Sequence, residues 1–327
     1  CSQINRGRTE KMVRVVSSTS SSLFDAAKEI EVRPGRRLRV LHLAVPSSKV
    51  TIFFVHGSCA KMEQFEGTIR ILSSKYTVVA YDAFGCGKSP KPRNEFKGYS
   101  SNAHSSDLLA LFNRYAGDVN IGVGHSFGSS LLMKLACQFT TKNIEGIILI
   151  GTALTMPEGG HPIFKLPLKI LNCIKPLLSW RFSQLAFHPT TPKDIREKSA
   201  CDNPMFVVKA FYTQFTWVKK ANITNLIIPA LIVQGKEDKI TSLESAEALS
   251  KILSNSEMKV VSNASHQVME EKPEQVAAYI EEFIVQKVLK NLEKHGILSL
   301  MEQRGSNNRD VIHNESVEES LSNTSFI

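Results

Sequence analysis

Val119-Asn120-Ile121-Gly122-Val123-Gly124-His125-Ser126-Phe127-Gly128-Ser129-Ser130 opens as an apolar, strand-like run and closes on Gly-x-Ser-x-Gly. The residues that follow, Leu131-Leu132-Met133-Lys134-Leu135-Ala136, are good helix formers, so the stretch reads as strand, sharp turn and helix. A turn this tight leaves no room for side chains beside the serine. Gly124 and Gly128 therefore flank it, and Ser126 Oγ is pushed out at the top of a sheet. There the hydroxyl lies over a helix start, whose free N–H groups and positive dipole end favour negative charge developing on a bound carbonyl oxygen. The position reads as a nucleophile. Glycine and serine are also ordinary turn residues, so the rest of the chain must carry the remaining parts.

Outward from this stretch, strands and helices alternate. Glu29–Val32 and Arg37–Leu43 read as a hairpin around Pro34-Gly35, and Val50–Val55 is a continuous β-branched and aromatic run of the kind buried on both faces of a parallel sheet. A helical segment near Met62–Leu72, a strand Tyr76–Tyr81, a loop from Asp82 to Pro90 and a helix Tyr99–Tyr115 lead to the central stretch. After it come a helix over 127–139 and a strand Ile144–Ile150. The expected fold is α/β, a mostly parallel sheet covered by helices on both faces. From 152 to 221 the alternation stops and a proline-punctuated, helix-leaning insertion reads as a lid over the sheet. Strand Ile228–Val233, helix 242–253, strand Met258–Val261 and a helix opened by Pro273 complete a core of 28–151 and 222–290.

Both ends differ from this core. Segment 1–27 carries Arg6, Arg8, Lys11 and Arg14 against Glu10 and then a serine run, which fits either a mitochondrial transit segment or a disordered basic tail. Its first residue is Cys, so an incomplete or processed terminus is expected. Segment 291–327 is polar and expected to be disordered. No run approaches the roughly 18 apolar residues that a membrane span requires. The net charge of +9 is scattered without any nucleic-acid-binding motif, so no nucleic-acid partner is expected. Six cysteines without pairing rhythm favour a reducing compartment, cytoplasmic or mitochondrial.

His56-Gly57, Asp82-x-x-Gly85-x-Gly87-x-Ser89, Gly124-His125-Ser126-Phe127-Gly128, Gly235-Lys236-Glu237-Asp238, and His266 followed by Glu271 and Pro273 stand in the order found in one superfamily. Over about residues 28 to 287 the chain resembles the α/β-hydrolases. Within them, Leu111–Ala116 together with His125–Gly128 is most similar to the α/β-hydrolase domain-containing protein 8 group. The resemblance implies that fold and a serine hydrolase activity, and no cofactor or metal is expected. It also implies against dehalogenase and epoxide-hydrolase chemistry, whose resembling enzymes carry aspartate where Ser126 stands.

The chemistry follows from the side chains. Free serine is a poor nucleophile near neutral pH and needs a base, and an imidazole titrating near 6.5 suits that task. His266, after the last strand, is the candidate base. Asp238, after the strand before it, supplies the negative partner that fixes the imidazole tautomer, with Glu237 as the second choice. The oxyanion hole should use the N–H groups of Phe127 and Ser58. His56, Gly57 and His125 are expected around bound substrate, His56 bracing its loop rather than acting as a second base. Cys59-Ala60 follow Ser58 where the family commonly has glycine, which narrows the backbone shapes open to that loop. Cys59 has no second histidine placed to activate it as a nucleophile. Ser265 stands where glycine is frequent, and Ser242 where proline often follows the acid.

Ile163–Phe182 is apolar with four basic residues and no acidic one. Two readings stay open: contact with a membrane or lipid droplet through the lid, or packing within the lid, the prolines breaking any long amphipathic helix. Either allows a long acyl chain. The leading expectation is hydrolysis of lipid-like carboxylic esters. Acyl transfer to a lysophospholipid is set behind it, because Glu271 stands where the resembling group has aspartate, and a non-catalytic scaffold binding a protein or lipid-droplet partner is the third reading.

Overall fold

The computed structural model describes residues 22–138, 144–159, 161–199 and 203–297. Eight strands form one sheet: β1 Lys28–Arg33, β2 Arg36–Leu43, β3 Val50–Val55, β4 Thr77–Asp82, β5 Val119–His125, β6 Gly146–Ile150, β7 Ala230–Gly235 and β8 Ser256–Val261. Their order across the sheet is β1-β2-β4-β3-β5-β6-β7-β8. The β1–β2 hairpin pairs antiparallel and β2 pairs antiparallel with β4, while all pairings from β4 through β3 to β8 are parallel. Gly35 closes the hairpin at φ +71, a conformation that costs glycine little.

The central strands are buried along their whole length because alternate residues feed two cores. Phe53 and Val55 join one cluster and Ile52 and Phe54 the other. Helices α1 (Glu66–Leu72) and, later in the chain, α10 (Pro273–Phe283) cover the second cluster with Ile69, Leu72, Ile280 and Phe283. Helices α2 (Ser101–Tyr115), α3 (Phe127–Gln138) and α8 (Leu243–Ile252) cover the first with Leu108, Leu111, Leu131, Leu135 and Leu249. Short helices α9 (Val268–Glu271) and α11 (Lys290–Lys294) flank α10.

This order places the site. The chain leaves β3 for β4 on one side and returns to β5 on the other, so a crevice opens beyond the carboxyl ends of β3 and β5, where open α/β sheets bind ligands. His56-Gly57-Ser58 follow β3 and Ser126 follows β5.

Between β6 and β7 lie α4 (Leu168–Ala186), α5 (Lys193–Ser199), α6 (Met205–Thr213) and α7 (Lys220–Ile223). Helix α4 departs from the expectation that prolines break this region, since it runs unbroken through Pro176. Pro176 lies on the exposed side of the helix, where the carbonyl it leaves unbonded can be solvated.

The ends also differ from expectation. Leu23–Ala26 forms a 3₁₀ turn that buries Phe24, whose carbonyl accepts from Arg39 at 3.1 Å, so the ordered body begins before residue 28. At the other end, α11 buries Leu292 and carries ordered structure past residue 290. The expectations for 1–21 and 298–327 lie outside the described residues. No disulfide links the described cysteines, and no described helix is long and apolar enough to cross a membrane.

Candidate active site

Ser126 sits between the last residue of β5 and the first of α3 with φ +51. A left-handed conformation costs an L-residue roughly 1–2 kcal/mol, so the surroundings must impose it. Ser126 N–H donates to Ile150 O at 2.8 Å, and Ser129 Oγ donates to Gly124 O at 2.8 Å, pinning the turn from both sides. The flanking glycines permit the close approach. A Cβ on Gly128 would stand 2.1 Å from Val55 O, and one on Gly124 would stand 2.6 Å from the Gly128 carbonyl carbon.

Asp238 and His266 are brought together from the loops after β7 and β8. His266 Nδ1–H donates to Asp238 Oδ2 at 2.8 Å, with both side chains buried. The carboxylate is otherwise saturated: Ile240 N–H and Thr241 N–H donate to Oδ1 at 2.8 and 2.9 Å, and Thr241 Oγ1 and Gln234 Nε2 donate to Oδ2 at 2.7 and 2.9 Å. Burial works to raise the Asp238 carboxyl. The His266 ring and the Thr241 donors outweigh it and hold the group at about 2. Asp238 thus stays ionised and keeps the Nδ1–H tautomer, leaving Nε2 as the basic nitrogen. Glu237, the second-choice acid, accepts instead from Ala264 N–H at 3.2 Å.

His266 packs against Gly151, which has φ +54 and would carry a Cβ only 3.2 Å from His266 Nδ1, and the residue before that glycine, Ile150, is the one whose carbonyl accepts from Ser126 N–H. The Ser126 hydroxyl makes no hydrogen bond to the ring among the described residues. Such bonds in unliganded enzymes are commonly long and tighten with substrate.

The two other histidines face inward. His125 Nε2–H donates to His266 O at 3.0 Å, and the two rings lie 4.7 Å apart. Its Nδ1 has no partner among the described residues and faces Gly57, where a Cβ would come within 2.7 Å. Burial first, and then the neighbouring His266, pushes the His125 pKa well below its usual value. His56 Nδ1–H donates to Gly57 O at 2.7 Å and its Nε2 accepts from Ala83 N–H at 2.9 Å, so both ring nitrogens serve the backbone. Of the expected site residues, Ser58 lines the cavity between its own loop and the insertion, whereas Gly57, the two histidines, Ser126, Phe127, Asp238 and His266 do not.

The N–H groups of Phe127 and Ser58 have no hydrogen-bond partner among the described residues and remain open to an external acceptor. The loop after Ser58 turns at Cys59 with φ +52, the conformation for which glycine is the ordinary choice. It is held regardless: Ala60 N–H donates to Gly57 O at 3.2 Å, Asn203 Nδ2 donates to Cys59 O at 2.7 Å, and Met62 N–H donates to Asp82 Oδ1 at 2.9 Å. The Asp82-x-x-Gly-x-Gly-x-Ser motif is therefore a brace. Asp82 also accepts from Lys88 N–H and from Arg39, and a Cβ on Gly87 would fall 2.2 Å from its carboxyl carbon.

Thr241, Gln234 and Glu271 were not among the residues expected to shape this site. Gln234 had a signal, as an amide in the otherwise apolar strand Ala-Leu-Ile-Val-Gln-Gly needs a buried partner. Glu271 accepts from His188 N–H at 2.6 Å, Thr191 Oγ1 at 2.5 Å and Ser265 N–H at 2.6 Å, tying the chain beyond α4 to the residue before His266. Ser265 Oγ and Gln267 N–H donate to Leu185 O and Ala186 O, so the end of α4 and the His266 loop are stitched together.

A cavity of about 480 Å³ lies between Ser58-Cys59 and the insertion, walled by Phe164, Leu178, Trp180, Phe187 and Met205. A second cavity, of about 630 Å³, has Ala60, Lys61, Glu63, Glu66 and Arg70 in its walls, with Arg70 paired to Glu66 at 2.9 Å. No group of side chains able to hold a metal ion occurs among the described residues.

Residues 46–273 match the family described as Serine aminopeptidase, S33. The chain belongs to that family. Among its relatives, protein ABHD8 of Mus musculus is 30% identical over 272 residues, covering 77% of this chain and 61% of that protein. The chain thus spans about six tenths of the length of that curated relative. The 2-hydroxy-6-oxo-6-(2'-aminophenyl)hexa-2,4-dienoic acid hydrolase of Metapseudomonas resinovorans is 23% identical over 248 residues, 69% of this chain and 81% of that protein. Among solved structures, an esterase from Exiguobacterium antarcticum superposes with a TM-score of 0.67 at 19% identity, covering 79% of this chain and 98% of its own. The family match and the ABHD8-like relationship bear out the resemblance expected from the sequence.

Proposed function

We propose that the chain is a serine hydrolase of carboxylic esters with apolar acyl groups, and that segment 152–221 acts as its lid. The observation that carries the reading is the buried His266–Asp238 pair at 2.8 Å, together with a serine held at φ +51 at a helix start. In the reaction Ser126 Oγ attacks the ester carbonyl carbon while His266 Nε2 takes its proton. Asp238 stabilises the imidazolium, and the N–H groups of Phe127 and Ser58 receive the charge on the carbonyl oxygen. Collapse breaks the bond to the leaving alcohol, which departs with the proton from His266. Water, deprotonated by the same ring, then cleaves the acyl-serine and releases the acid. The apolar cavity supports an acyl chain as the bound portion.

The acyltransferase reading gains no support, because both Glu271 oxygens are engaged by the backbone and by Thr191. Turnover of fatty-acyl esters of graded length, with wild type and Ser126→Ala, tests the proposal. Activity that rises from acetyl to longer chains and vanishes in the variant supports it. Turnover that survives Ser126→Ala removes the nucleophile from the account.

A further inference from the structure

Helix α4 is where the fold leaves apolar surface uncovered. Of its 19 residues only Leu171 and Ala186 are buried. Ile174, Leu178 and Leu185 continue the stripe that Leu171 begins and face the protein. A second stripe with the same three-to-four spacing, Ile170, Cys173, Leu177 and Trp180, faces solvent, and the exposed Leu166 precedes the helix. Leu177 is 60% exposed, Trp180 58% and Ile170 45%, values that an ordinary surface helix reserves for polar residues.

The charge around this stripe is of one sign. Between His161 and Pro192 the chain carries Lys165, Lys169, Lys175 and Arg181 and no acidic residue. At 100° per residue, Lys169 borders the exposed stripe beside Trp180 and Arg181 borders it beside Ile170. A two-fold contact with a second copy would set these like charges against each other across an apolar seam, which opposes that occupant. An anionic lipid surface satisfies both features: leucine, isoleucine and tryptophan enter the acyl boundary while lysine and arginine stay at headgroup depth.

We propose that α4 is a peripheral docking helix for bilayers containing anionic lipid, with Ile170, Leu177 and Trp180 inserted and Lys169 and Arg181 at the phosphates. Trp180 belongs to the docking stripe and also lines the cavity, so the docking face reaches the cavity at this ring. A lipid tail passes from the bilayer to the cavity along it. That passage rests on the ester-hydrolase reading; the docking does not.

Flotation of the Ser126→Ala chain with phosphatidylcholine vesicles, with and without phosphatidylserine, tests docking in the absence of turnover. The expected result is binding at least roughly tenfold stronger to the phosphatidylserine vesicles, with a blue shift of tryptophan emission that is absent in Trp180→Phe. Ile170→Asp with Leu177→Asp should reduce flotation at least tenfold at an unchanged urea midpoint, since both side chains are solvent-facing. The proposal is overturned if the first chain does not float, if the double variant floats equally, or if vesicle-free dimers form and the double variant dissociates them. Active-site labelling of wild type run in parallel separates the two readings: flotation without labelling sinks the hydrolase, and labelling without flotation sinks the docking helix.

Discussion

His104 shows how a single buried side chain sets a property of the whole chain. Its ring lies between Phe127 and Phe211, with centroids 6.0 and 5.6 Å away, and neither nitrogen has a partner among the described residues. Burial, reinforced by Arg36, His56 and Arg33, holds its pKa at about 3. The unfolded chain takes up this proton near pH 6.5 and the folded chain does not, so stability is full above about 6.5 and falls as pH drops toward 3. The slope for one such group is about 1.4 kcal/mol per pH unit. His56 and His125, also lowered, act in the same direction, whereas Asp238 withdraws its contribution only between about pH 4 and pH 2. Urea midpoints between pH 7.5 and 4.5 should therefore decline, and His104→Leu should flatten the decline by about one proton's worth; an unaltered slope contradicts this account. Gly128→Ala drives a Cβ onto Val55 O and is expected to cost about 1–3 kcal/mol in urea unfolding. Asp238→Asn leaves the packing but offers the ring the wrong partner, and should lower turnover by on the order of 10³–10⁴ without a comparable change in KM.

At the scale of elements, the joint between α4 and the His266 loop is the feature with most consequence. Glu271 receives three donors across it, so Glu271→Ala leaves Ser265 N–H, His188 N–H and Thr191 Oγ1 without their acceptor. The expected outcome is a fall in kcat of at least about tenfold through misplacement of His266. Faster amide exchange at 185–191 and 265–267 should accompany it, and Glu271→Gln should recover part of both. Unchanged exchange in Glu271→Ala would show the joint to be incidental. Much of this architecture was legible beforehand for physical reasons. Val50–Val55 reads at its true bounds as β3 because both faces are buried and every residue is apolar or β-branched. The edge strand β8 begins at Ser256-Glu257, ahead of the apolar run that marks it, because an edge does not require burial at every position. The continuity of α4 through Pro176 was hidden because only the tertiary setting shows that the proline faces solvent. The meeting of Asp238 with His266 was expected from motif order, whereas Thr241, Gln234 and Glu271 act through hydrogen bonds that local sequence does not encode.

At the scale of the molecule, a mostly parallel sheet gathers the loops after β3, β5, β7 and β8 at its carboxyl edge, and the insertion between β6 and β7 is hydrogen-bonded to two of them, through Asn203 to Cys59 O and through Leu185 O and Ala186 O to the His266 loop. Two strained residues, Ser126 and Cys59, lie at that edge, where the surrounding packing holds them in place. The central claim is that this gathering makes an alcohol nucleophilic. The most direct measurement is the intact mass of the folded chain, followed by peptide mapping, after exposure to a fluorophosphonate probe. The account predicts one adduct, on Ser126, that disappears in Ser126→Ala and forms at least about a hundredfold more slowly in His266→Ala. A folded chain that takes no adduct, or takes it at the same rate without His266, contradicts the account.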